Sequence, residues 1–335
     1  MTASMCIYID LNRQPAGNPQ YEVTHLAKYI LNRLWQTVIV LIGVTLITFV
    51  MINIAPGDPV AVMMAKKADE ATITKIREQM GLNEPLPVQY ITFLKNAVTG
   101  DFGNSYFQKY PVSTLIARGF KVTGTLAVGV LLFSIPFGLI LGILAAIFRG
   151  RILDRVFMFI STLGMALPSF WFAIILQLIF GLWLKVLPIS GVNTLSGYVL
   201  PSIALGLIYG ASIARLTRTN MLEVLNQDYI RTAHAKGVSE AAVVLRHSLR
   251  NAAIPILTYL GTLIKNILGG SVLVETVFSI KGLGSLLVEG IMKRDIPVIQ
   301  GCTIYIATVF VIANLLIDLL YGLIDPRIRV SKGGA

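Results

Sequence analysis

Six stretches of this chain are too long and too poor in charge to be at home in water. Four of them, residues 34–57, 122–148, 156–184 and 186–214, carry no charged side chain at all. Two more, 254–280 and 296–324, carry only Lys265 and Glu275 in the first and Asp318 in the second. About 20 apolar residues suffice to cross the hydrocarbon of a bilayer. Inside hydrocarbon every backbone amide must be satisfied within the protein, which leaves helices for segments of this kind. The expectation is an all-α polytopic membrane protein with six transmembrane helices. Composition agrees: 13% of residues are charged and mean hydropathy is +0.74, against about 25% charged in a soluble domain. The first stretch is too long, and too far from the N-terminus, for a cleaved signal peptide.

Orientation follows from lysine and arginine in the short connections. With the N-terminus in the cytoplasm, the inside segments hold fifteen of the 28 basic residues, among them Arg149, Arg151, Arg155, Arg215, Arg218, Arg231, Lys236, Arg246 and Arg250. The short outside loops hold only Lys185, Lys281, Lys293 and Arg294. This predicts N-in/C-in. The net charge of +11 is then mostly this bias plus attraction to anionic lipid, and no nucleic acid is needed to explain it. Cys6 and Cys302 show neither a metal spacing nor a disulfide framework.

The chain divides into a polar cytoplasmic tail at 1–28, a first span at 29–57, an external cap segment at 58–121, a core of five spans at 122–324 and a cytoplasmic tail at 325–335. The cap carries an amphipathic piece, "PVQYITFLKNAV", and turn signals at "GLNEPLP" and "GDFGNS". Pro136, Pro168, Pro201 and Pro255 fall within the apolar stretches, where proline is ordinary because neighbouring helices re-satisfy the freed carbonyls. No internal repeat supports the inverted halves of a secondary transporter.

Catalytic chemistry is hard to place. Glycine is nowhere followed by lysine, so there is no phosphate-cradling GxxxxGK[ST] loop. "KGLGS" at 281–285 lacks the strand context of a dinucleotide site. His25, His234 and His247 all fall in cytoplasmic segments, away from any serine at membrane depth. The chain is expected to be no enzyme and to need no cofactor or bound metal. Transport, channel activity or scaffolding is left.

The segment 215–253 stands out as a basic insert between apolar spans. Helical signals continue from the fourth span to about Lys236. Gly237 then breaks the helix, and Ser239 is placed to cap a second one with Glu240 in its first turn. Val238, Ala241, Ala242, Leu245 and Leu249 recur with helical spacing, opposite Arg246, His247 and Arg250. On physical grounds the insert fits a helix on anionic lipid, a docking surface for a cytoplasmic partner, or a solvated loop.

Here the sequence resembles a known family. "YIRTAHAKGVS" at 229–239 and "HSLRNAAIP" at 247–255 are similar to the ATPase-docking loop of binding-protein-dependent ABC importers, of the peptide/nickel permease type. "PGDP" at 56–59, "MGLNEPLPVQY" at 80–90, "GDFGNS" at 100–105, "LGGSVLVETVFSIKGLGSLL" at 268–287, "RDIPVIQG" at 294–301 and "LLIDLLYGLIDPRIR" at 315–329 extend the resemblance along most of the chain. It looks like the first of two permease subunits of an oligopeptide or dipeptide importer, a MetI-like bundle with a small external helical segment. The literal "EAA" at 240–242 is out of register; the motif's slot is Arg231, Thr232 and Ala233 with Gly237 as its glycine. His234 stands where relatives often have arginine.

The resemblance implies a second permease subunit, two ATP-binding subunits, an external substrate-binding protein and a place in the inner membrane of a prokaryote. It implies ATPase docking by Arg231, Thr232, Ala233, His234, Lys236, Gly237, Val238, Ala241, Leu245, Arg246, Arg250 and Asn251. It also implies that the fifth span lines the pathway. That span carries Lys265, Asn266 and Glu275, and its Gly269–Gly270 pair permits close helix approach. A lysine at mid-membrane costs about 2.5–3.5 kcal/mol on insertion scales, so Lys265 should face a partner or a wet cavity; Asp318 is placed to neutralise it. Glu275 fits a gate or a structural ion pair. Oligopeptides, dipeptides, glutathione and nickel chelates all remain open as substrates.

Overall fold

The computed structural model describes residues 19–54, 74, 75, 77, 78 and 81–324. Among the described residues the chain is helical throughout, with a single isolated bridge between Asn104 and Pro111 in place of any sheet. Helix α1, Pro19–Ile54, opens on a proline, whose missing N–H is harmless in a first turn. Residues 19–28 of the expected tail are therefore helical, and 1–18 and 325–335 lie outside the described residues. The start of the cap, 55–73, lies outside them too.

Helix α2, Leu86–Thr99, ends at Gly100 in the left-handed region (φ 73°). It rests on α1 through aromatic rings: Tyr90 meets Phe49 edge-on at 5.4 Å and Phe93 stacks on Phe49 at 6.0 Å. The Tyr90 hydroxyl lies 3.0 Å from Thr45 Oγ1.

Helix α3, Val112–Ile147, is 36 residues long, about 54 Å at 1.5 Å per residue. It begins about ten residues before the hydropathic edge near 122. Arg118 and Lys121 mask that first part in the sequence, yet Val112, Leu115, Ile116 and Gly119 are buried. They form a small apolar core with Leu283, Val298 and Cys302.

The centre of the molecule is the contact between α3 and helix α6, Val199–Leu225. It is close because small residues face each other. A methyl group on Gly138 would come within 2.5 Å of Ile213 Cβ, and one on Gly142 within 2.6 Å of the Ala214 carbonyl. Such approaches bring dispersion contacts that larger side chains forbid. Leu126, Val130, Leu200, Ala204 and Ile213 fill the core here, with Leu263 and Ile267 from a later helix. Gly138→Leu is expected to push the two helices apart and cost about 3 kcal/mol or more through overpacking. A lowered thermal unfolding midpoint in detergent would report it, and an unchanged midpoint would mean the interface is looser than it looks.

The stretch 156–184, expected as one span, is broken. Helix α4, Ile152–Ala166, and helix α5, Ser169–Leu176 with its π-helical continuation Gln177–Trp183, meet at 106°. Pro168 is the cause. It has no N–H for the carbonyl one turn back and holds Leu167 extended (φ −78°, ψ 131°). The Gln177 side-chain amide then donates to the carbonyls of Ile189 (2.8 Å) and Val277 (3.2 Å), fixing the far limb.

Helix α6 stops at Leu225 rather than near Lys236. Asn226 folds its side chain back onto the Leu222 carbonyl (2.8 Å), and Gln227 is extended (φ −77°, ψ 150°). Helix α7, Asp228–Ala235, follows as a separate piece. A single turn, Glu240–Ala242, and a π-helical stretch, Val243–Ser248, then run into α8, Leu249–Val277. Helices α9, Leu283–Lys293, and α10, Ile296–Ile324, complete the order.

Among the described residues, four helical segments are long and apolar enough to cross a membrane, Leu31–Ile54, Val112–Ile147, Leu195–Leu225 and Ile296–Ile317, and the bent pair α4–α5 would make a fifth. Helix α8 occupies the place of the fifth expected span.

Candidate functional site: a basic helical turn and two acid clasps

At one end of the bundle, α7 and the start of the α8 rod form a turned-back helical pair. Gly237 makes the reversal with φ at 76°, while the Val238 N–H reaches the Ala233 carbonyl (3.2 Å) to close the helix end. Ile230, Ala233 and Val243 are buried together beneath the pair, flanked by Val224, Leu225 and Val238. Asn251 Nδ2 donates to the Tyr229 hydroxyl at 3.0 Å. The two halves of the motif, "YIRTAHAKGVS" and "HSLRNAAIP", thereby touch.

The outward face of this turn carries Arg231, Thr232, His234, Lys236, Gly237, Ala241, Leu245, Arg246, Arg250 and Asn251, all exposed; Val238 is half-buried and Ala233 buried. Arg231 bonds Asp228 (3.2 Å), and His234 Nδ1 lies 3.7 Å from Glu240. Two local expectations need correction. Ser239 stands at the cap position, but its hydroxyl makes no capping bond. The apolar stripe is also displaced: Ala241 is exposed and Leu245 is 60% exposed, while Val243, Val244 and Ser248 are buried. The second helix packs on Ile230 and Ala233 through Val243, which turns Val243, Val244 and Ser248 inward and leaves Ala241 and Leu245 outward. Leu245 is left as an apolar knob beside Arg246.

A fastening that sequence reasoning missed lies at the same end. Asp154, 4% exposed at the start of α4, takes both Arg218 Nε (2.7 Å) and Nη2 (2.8 Å) from α6, and the Gly150 N–H at 3.0 Å. The one available signal was a lone carboxylate at the edge of an apolar stretch, which requires a cation or donors nearby.

The other end, reached along α8, holds two buried acids. Glu275 is fully buried. It accepts from Thr123 Oγ1 of α3 at 2.7 Å and from the Ser285 N–H of α9 at 3.0 Å. Thr123 Oγ1 in turn accepts the Leu283 N–H (2.9 Å). Any side chain on Gly282 would begin 2.5 Å from the Glu275 carboxyl carbon, which is why "ETVFSIKGLGS" has glycine there. Glu275 thus joins three segments by hydrogen bonds. Asp295, 3% exposed, does the same for the loop at 101–107. It accepts from Ser105 Oγ (2.6 Å) and the N–H groups of Tyr106 (3.2 Å) and Phe107 (3.4 Å), bringing "GDFGNS" onto "RDIP". Burial, and the Asp295 carboxylate beside it, push the Tyr106 phenol up to about 12. Glu275→Ala is expected to orphan the Ser285 N–H, open a cavity and cost about 2–4 kcal/mol. Faster proteolysis around Lys281 in the folded protein would check it; unchanged protection would show that the clasp contributes little.

Of the remaining pathway candidates, Asn266 is exposed, and its backbone carbonyl accepts the Tyr209 hydroxyl at 3.0 Å. Lys265, Gly269 and Gly270 sit on α8 and Asp318 on α10. Their side-chain surroundings, and so the pairing of Lys265 with Asp318, lie outside the described residues.

A family model described as binding-protein-dependent transport system inner membrane component matches residues 138–330. A model of the N-terminal part of such membrane components matches residues 26–127. A protein of Sinorhizobium fredii named probable peptide ABC transporter permease protein y4tP is 41% identical over 309 residues, spanning 90% of this chain and 99% of that one. The glutathione transport system permease protein GsiC is 40% identical over 304 residues in both Salmonella typhi and Escherichia coli, spanning 91% of this chain and 99% of each.

Proposed function

Because this chain belongs to the family of binding-protein-dependent transport system inner membrane components, we propose that it is one permease subunit of an ABC importer that carries peptides across the inner membrane. It pairs with a second permease, takes substrate from an external binding protein, and is driven by ATP hydrolysis in two partner subunits. It crosses the membrane six times, with both ends in the cytoplasm.

The observation that carries this reading is the turned-back pair at Asp228–Asn251. It is an exposed cationic surface with an apolar knob, Leu245, continuous with the α8 rod. A partner that grips it moves a helix of 29 residues, and that helix ends at the Glu275 clasp. Displacement at the docking turn therefore reaches α3 and α9 at the opposite end through rigid backbone and three hydrogen bonds, which suits alternating access. Asn266, Lys265, Gly269, Gly270 and Asp318 are the positions at which α8 and α10 would meet the pathway.

Peptides are the first choice of substrate because of the named peptide permease among the relatives. Glutathione, itself a modified tripeptide, is the second reading, on the strength of the GsiC relatives. Uptake of labelled peptides of two to six residues, and of glutathione, by the complex reconstituted with its ATP-binding and substrate-binding partners tests both. Peptide uptake that requires ATP is the expected result. Flux through the purified chain alone, driven by an ion gradient without nucleotide, would replace the proposal with a secondary transporter. An accessible external cysteine placed at Lys185 or Lys281, unreactive when placed at Arg231, tests the topology.

A further inference from the structure

The hairpin between α3 and α4, "FRGRILDR", concentrates more positive charge than its surroundings neutralise, although Arg149 adds to the field that holds Asp154 ionised. Arg149, Arg151 and Arg155 are exposed within seven residues. The hairpin's own carboxylate, Asp154, has both oxygens committed to Arg218 and the Gly150 amide. None of the three arginines has an ion pair among the described residues; Arg151 lies over the Phe148 ring at 5.9 Å. Below them on α4, Ile152 (76% exposed), Val156, Phe159, Ile160 and Leu163 form an uncovered apolar stripe spaced i, i+4, i+7, i+8 and i+11. Three guanidinium groups at the rim of an acyl-chain surface match a phosphate headgroup above its own chains: guanidinium pairs with phosphate through two parallel bonds, and long cationic stems lie along lipid while the head stays wet.

We propose that Arg149, Arg151 and Arg155, with the α4 stripe beneath them, form a binding site for an anionic phospholipid. The binding is separate from the docking turn at Arg231–Arg250, and it secures the α3–α4 hairpin to the membrane at the level where Asp154 fastens it to α6. Lipid is favoured over a protein occupant because the stripe runs without interruption from the cations along α4, the first limb of the bent pair.

The experiment uses the full chain, with the subunits that purify with it, in nanodiscs containing photoactivatable phosphatidylglycerol or photoactivatable phosphatidylcholine. Labelled peptides from 148–163 are quantified. The site should prefer phosphatidylglycerol by about 100-fold, three cations each contributing roughly five-fold. The preference should fall to near parity in R149Q/R151Q/R155Q and in wild type at 1 M salt, while K95Q/K121Q, which removes two exposed cations elsewhere, keeps it. Equal labelling by the two lipids in wild type at low salt would overturn headgroup recognition. Labelling that appears only when the partner subunits are stripped away would assign the hairpin to a protein interface and equally overturn the proposal. The salt arm keeps the test valid if the triple variant does not assemble.

Discussion

Gly237→Val is expected to abolish coupled uptake, to under about a tenth of wild type, while the protein still reaches the membrane. A Cβ at this position meets nothing within 4 Å, so the penalty comes from backbone conformation and not from a clash. At φ 76° a β-branched residue is strained by about 1–2 kcal/mol or more. The cheapest relief is to let the α7 end unwind, which breaks the Val238–Ala233 bond and turns α7 away from Arg246 and Leu245. Gly237→Asn separates the two explanations, because asparagine tolerates the left-handed region. It should retain most uptake. Co-purification of the ATP-binding subunits should be lost with valine and kept with asparagine. Normal uptake and normal association in the valine variant would remove the docking assignment.

Asp154→Ala is the second large effect, expected on stability. Breaking a buried pair by removing one partner costs about 3–5 kcal/mol, because a desolvated charge is left behind. The lower end applies here, since the Arg218 side chain keeps 26% of its surface. The Gly150 amide loses its acceptor as well, so the α3–α4 hairpin loosens. The informative comparison is the double variant Asp154→Leu with Arg218→Met, which removes both charges and fills their volume. It should regain most of the loss in thermal unfolding midpoint. If the double variant is as unstable as the single one, the pairing is not what holds α4 to α6.

Hydropathy reached the main architecture because lipid-crossing segments are read by length and charge alone. It failed where a local device overrides the average. Arg118 and Lys121 hid the first turns of α3, which are buried against α9 and α10 despite those charges. Pro168 was visible as a proline, but a mild kink and a 106° break carry the same letter; the bend depends on Leu167 going extended and on Gln177 finding Ile189 and Val277. The reversal between α7 and the next helix was legible at Gly237, whose φ of 76° favours glycine. The displaced stripe was not, because two apolar faces compete in this helix and the choice is made by Ile230 and Ala233, which take Val243 and leave Leu245 open. Asp154 and Arg218 stand 64 positions apart, and the Thr123–Glu275 and Ser105–Asp295 bonds are longer-range still. Helical spacing has no means of expressing such pairings.

Those long-range bonds set an order of assembly. Ser105 awaits a partner 190 positions later, and Thr123 one 152 positions later. At about 5–20 residues per second, synthesis leaves each hydroxyl waiting roughly 10–40 s before its carboxylate exists. Helices α1 to α6 must therefore persist in the bilayer as a half-built intermediate, held by the α3–α6 glycine contact and the Asp154–Arg218 pair. The end that holds the two acids is sealed last, by the final third of the chain. A nascent protein arrested after α7 has the first helix of the basic turn but neither of the acids that close the far end.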